Sequence, residues 1–106
     1  MNLVPGSVRI TGNYAISSTG GPQDPHAVRI FNIHLVSTST AASMQLFDIN
    51  AAGTSSGSNA WVQVDGAASQ GVSLSFAGGL RMPNGCYASV DTTWISYAVV
   101  TFTEEF

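Results

Sequence analysis

A chain of 106 residues with a formal charge of −3 is long enough for one domain and one core, and too short for two ordinary domains. Only 8% of its residues are charged, against roughly 25% in an average globular protein, and the basic set is Arg9, Arg29 and Arg81 with no lysine. So little positive charge offers almost no counterion-release energy on nucleic acid and little attraction to an anionic membrane, while the lone Cys86 excludes an intrachain disulfide and a multi-cysteine zinc site.

Residues 1–6 hold neither a basic stretch leading into an apolar one nor the length of a membrane span. The expectation is a soluble chain made in the cytosol, a single domain over 1–106, with 1–6 available as a short N-terminal arm. Residues 7–11 read as the first strand. Residues 17–25 read as a loop, in which Gly20-Gly21-Pro22 lacks the lysine and helix of a phosphate loop.

Residues 28–36 form the most apolar strand, with Phe31, Ile33 and Leu35 on one side and Val28, Ile30 and Val36 on the other. Strict alternation would make both its faces apolar, so that both need cover. Residues 44–50 and 60–65 are further strands, separated by a long loop at 51–59.

In Val72-Ser73-Leu74-Ser75-Phe76 the apolar side chains share one face and the serines the other, a strand with one wet side. A short strand at 80–82, Asn84-Gly85 as a tight hairpin, and a strand at 86–90 follow. The last strand, residues 94–102, again shows two apolar faces: Ile95, Tyr97 and Val99 against Trp94, Ala98, Val100 and Phe102.

These segments predict an all-β, single-domain antiparallel β-sandwich of about eight short strands, a number compatible with a jelly-roll-like arrangement. Two strands with surplus apolar faces in so small a domain point to a subunit interface. The expected contact residues are Trp61, Trp94, Ala98, Val100 and Phe102.

Chemistry is sparse. His34 lies inside the most apolar strand and His26 follows Asp24-Pro25, so both read as structural histidines. Asp48, Asp65 and Asp91 fall near strand ends, where a shared calcium site would require those ends to converge. No zinc-binding helix, Walker loop or nucleophile elbow is present. No catalytic residue, cofactor or metal is expected. Trp61, Trp94 and Tyr87 could form an apolar platform for carbohydrate beside Asn, Gln and Asp side chains.

Val28-Arg29-Ile30 through His34-Leu35-Val36-Ser37, Leu46-Phe47-Asp48 and Gly71-Val72-Ser73-Leu74-Ser75-Phe76 resemble segments of small β-rich virion proteins of tailed bacteriophages. Gly79-Leu80, Pro83-Asn84-Gly85-Cys86-Tyr87 and Val90-Asp91 add to the resemblance. It is most similar to capsid decoration, or cement, proteins. This implies a non-enzymatic structural protein that forms homotrimers, binds the major capsid protein on the virion surface after synthesis in the host cytoplasm, and stabilises the shell. The alternative is a receptor- or carbohydrate-binding module of a tail fibre or spike.

Overall fold

The computed structural model describes residues 3–16, 26–48, 60–91 and 93–105. Its eight strands are β1 (Leu3–Ile10), β2 (Tyr14–Ala15), β3 (Ala27–Ser37), β4 (Ala42–Phe47), β5 (Ala60–Gly66), β6 (Gly71–Met82), β7 (Tyr87–Val90) and β8 (Ile95–Glu105). They form two four-stranded antiparallel sheets: sheet I in the order β1-β8-β3-β6 and sheet II in the order β2-β7-β4-β5.

The first strand pairs with the last, the second with the seventh, the third with the sixth and the fourth with the fifth. One long antiparallel hairpin wound round on itself gives that order, and it is the strand order of a jelly roll. The chain is an all-β sandwich, as its alternation predicts.

The core lies between the sheets. Val28, Ile30, Ile33, Leu35, Ala98, Val100 and Phe102 of sheet I meet Met44, Leu46, Val64, Ala88 and Val90 of sheet II. Each large side chain so buried contributes about 1.5–3 kcal/mol relative to exposure.

Two register shifts revise the two-faced reading of the long strands. In the β3–β8 ladder Ile30 faces Phe102 and Asn32 faces Thr101, so Phe31 is an extra residue. The bulge reverses the parity of β3: Val28 and Ile30 before it and Ile33 and Leu35 after it all point into the core. A second shift, with Val36 facing Tyr97 and Ser37 facing Ile95, leaves Ser96 extra in β8. It turns Ile95 inward and Trp94 outward.

Other elements differ from expectation in their pairing. Residues 3–6 are not an arm: they open β1, with Leu3 opposite Glu105 and Gly6 opposite Phe102. The expected strands at 72–76 and 80–82 are one strand, β6, which bulges where Gly78 and Gly79 take positive φ values of 76° and 83°. The two-residue β2 lacks the length to give a periodic signal. The expected loop at 51–59 and residues 17–25, 49 and 50 lie outside the described residues.

The turn at Asn84-Gly85 exists, but it is not a hairpin. Gly85 N donates to Met82 O at 3.3 Å and Gly85 has φ of 105°, which favours glycine. The turn carries the chain from β6 in sheet I to β7 in sheet II. Asp48 fixes it from outside, accepting from Asn84 N at 2.9 Å and from Asn84 Nδ2 at 3.0 Å.

Candidate interaction faces

On β8, Ala98, Val100, Phe102 and Glu104 point inward, and Tyr97, Val99, Thr101 and Thr103 point outward. Three expected contact residues are therefore core residues. Ala98 and Val100 have no accessible surface and Phe102 has 2%, because they fill the space between the sheets. Side chains buried within one chain have no surface left to give to a neighbour. The outer side of the same strand is the face open to contact.

The outer face of sheet I is built in rows across four strands. Arg9, Val99, His34 and Ser73 share one row, and Ser7, Thr101, Asn32 and Ser75 the next. Pro5, Thr103, Arg29 and Arg81 make a third. The Arg9 guanidinium lies over the Tyr97 ring at 4.6 Å from its centroid, a cation–π contact. Arg81 Nε donates to Glu105 Oε2 at 2.9 Å, and Arg29 Nη1 to Gly78 O at 3.1 Å. All three arginines of an acidic chain thus sit on one face, although the sequence scatters them over three strands.

The outer face of sheet II is different in kind. Alternation along β5 sends Val64 into the core and Gln63 and Asp65 outside, and Trp61, left extra by a register shift between Leu46–Val62 and Phe47–Ala60, is exposed as well. Gln45 of β4 lies opposite Gln63, and Gln45 Nε2 donates to Gln63 Oε1 at 3.1 Å. Gln63 Nε2 in turn donates to Asp65 Oδ1 at 3.1 Å and Oδ2 at 3.3 Å. Trp61 is 49% exposed and Trp94 41%.

The three aromatic residues do not make a single platform. Trp61 and Tyr87 lie near the sandwich end where β4 finishes, β5 begins and β6 passes to β7. Trp94 lies at the opposite end, where its carbonyl accepts from Thr38 N at 2.8 Å in the cluster of β3–β4, β5–β6 and β7–β8 turns.

The titratable groups lie on separate parts of the fold. His34 Nδ1 and Ser73 Oγ are 2.7 Å apart, a spacing seen between a nucleophile and its base. They stand on an open sheet face, and among the described residues no carboxylate hydrogen-bonds to His34. His26 Nε2 and Glu104 Oε2 are 2.6 Å apart, with Glu104 fully buried. Glu104 continues the inward parity of Ala98, Val100 and Phe102, so the signal for this pair was the phase of β8 carried two residues further.

Asp48 serves the β6–β7 turn, while Asp65 lies opposite Ser43 and the Asp91 N–H donates to Ser43 O at 3.1 Å, at the other end of the sandwich. No three acidic, histidine or cysteine side chains converge among the described residues. Burial pushes the Cys86 thiol well above its ordinary ionisation range, and the negative charge of Asp48 adds to this. A thiol held neutral is a poor nucleophile and metal ligand.

No protein-family model, no curated protein and no solved structure matches the chain.

Proposed function

We propose that the protein is a non-enzymatic virion structural protein that decorates and stabilises a bacteriophage capsid, packing non-covalently with its own copies as a homotrimer and with the major capsid protein. The observation that carries this reading is the outer face of sheet I. Phe31, Val36, Tyr97 and Val99 stand there beside Arg9, Arg29 and Arg81. Subunit contacts are enriched in aromatic residues and arginine and depleted in lysine. This face carries Phe31, Tyr97 and all three arginines with no lysine, set among the polar side chains of Ser7, Asn32, Ser73, Ser75, Thr101 and Thr103.

Its size suits the role. Four strands spaced about 4.8 Å apart and about ten residues long at about 3.3 Å each make a face of roughly 600 Å². One partner in a standard interface contributes on the order of 800 Å². The whole accessible surface is 5230 Å², and the burial of Glu104 leaves at most eight of the nine charged side chains to serve it. A surface so poor in charge favours association over dispersal.

Jelly rolls form capsid domains and also lectins, so the fold by itself does not choose between them. The sequence resemblance supports the capsid, and the face of sheet I supports assembly. Binding only the assembled shell stabilises it by mass action.

Light scattering on the eluting protein and sedimentation with expanded capsids test the reading. The native chain is expected to run as a trimer and to sediment with the shell. The double variant Tyr97→Glu, Val99→Asp is expected to run as a monomer with an unchanged β-sheet spectrum. A native chain that is monomeric and ignores capsids overturns the proposal.

A further inference from the structure

The row on sheet II, remote from the proposed subunit face, has the chemistry of a ligand site. Gln63 and Asp65 alternate along β5 with Val62 and Val64, so the pleat sets both on the outer face while Val64 is buried. Trp61, the extra residue where Leu46 faces Val62 and Phe47 faces Ala60, stands 49% exposed next to them in the chain. From Trp61 to Asp65 is four residues, about 13 Å at strand spacing. That span accommodates two linked pyranose rings.

The row is pre-oriented. Gln45 Nε2 donates to Gln63 Oε1, and Gln63 Nε2 donates to both carboxylate oxygens of Asp65. These bonds set the direction of the Gln63 amide. An amide has two N–H donors and two acceptor lone pairs, so each glutamine keeps capacity for an outside partner, as does the Asp65 carboxylate. Ser43 lies opposite Asp65 and Ser89 opposite Gln45, adding hydroxyls beside the row.

We propose that this face binds a neutral pyranose glycan, with Trp61 stacking on the apolar C–H face of one ring and Gln45, Gln63 and Asp65 hydrogen-bonding its hydroxyls. Sugar hydroxyls both donate and accept, which suits a row that offers both. A neutral ligand is specified because Asp65 repels an acidic sugar and the three arginines lie on sheet I. An exposed Trp ring with fixed polar groups beside it gives stacking energy at low ordering cost. The inference stands apart from the assembly reading, which uses the other sheet.

The test is an array of neutral, sialylated and sulfated oligosaccharides probed with the full chain, followed by fluorescence titration with the strongest neutral disaccharide at millimolar range. Trp61→Ala is expected to weaken binding by at least about tenfold, and Gln63→Ala to weaken it by a similar factor. Trp94→Ala is expected to change it less than about twofold. Trp61 is half exposed, so a retained β-sheet spectrum should accompany the loss. Silence of all neutral glycans, binding of acidic glycans alone, or affinity that survives Trp61→Ala overturns the site. So does a change in oligomer size caused by Trp61→Ala, since it would make this face a contact between copies.

Discussion

At the scale of single residues, a side chain's role here follows from the side of the sheet it occupies. Val100 has no accessible surface, so Val100→Asp places an unpaired charge in the core. The expected cost is at least about 4 kcal/mol, a large part of the about 5–15 kcal/mol that holds a domain folded. Urea denaturation should report it as loss of folding, whereas its outward neighbour Val99→Asp should keep the fold. Cys86 makes a prediction in pH. Its thiol is harder to ionise in the fold than in the unfolded chain, where it ionises near about pH 8.5. Below that range the protonated thiol suits both states; above it the unfolded chain releases a proton that the folded chain retains, so stability falls as pH rises. Denaturation of the native chain and of Cys86→Ala between pH 7 and about pH 10 should show a steeper alkaline decline for the native chain.

Among the elements, the bulges have the widest consequences. Phe31 and Ser96 each reverse the parity of a long strand, and the Gly78-Gly79 kink in β6 lies against Arg29. Gly79 has a positive φ, and a Cβ there would collide with the Arg29 side chain. Gly79→Val is expected to cost about 1–3 kcal/mol and to lower the melting temperature by at least about 4 °C. Gly12→Ala is the control, because a Cβ there meets nothing within 4 Å. Calorimetry on the two variants would separate local crowding and strain from any general intolerance of glycine replacement.

For the whole molecule, the winding of the chain decides the folding behaviour. β8, the last strand, lies between β1 and β3 and supplies Ala98, Val100 and Phe102 to the core. Among the described strands, six of the seven steps from one strand to the next change sheet, and β4 to β5 stays within one. Pairings between residues distant in sequence must therefore form together, which predicts refolding in roughly milliseconds to seconds. A fragment ending at residue 94 lacks a central strand of sheet I and is expected to show no cooperative thermal transition by circular dichroism. Residual native-like melting of that fragment would contradict this dependence.

Alternation of apolar and polar residues is a local property, and by itself it determined the all-β class, most strand positions and the one wet side of 72–76, while composition alone set the scarcity of charge. A period of two sets Gln63 and Asp65 on one face of β5, while Trp61 sits where the β4–β5 register shifts. The partnership with Gln45 could not be read that way, because it depends on the register between β4 and β5. Bulges and pairings are settled by the partner strand, often far along the chain. Only the tertiary structure, accordingly, decided that Ala98, Val100 and Phe102 are core, that Trp61 and Trp94 stand at opposite ends, and that three scattered arginines share one face.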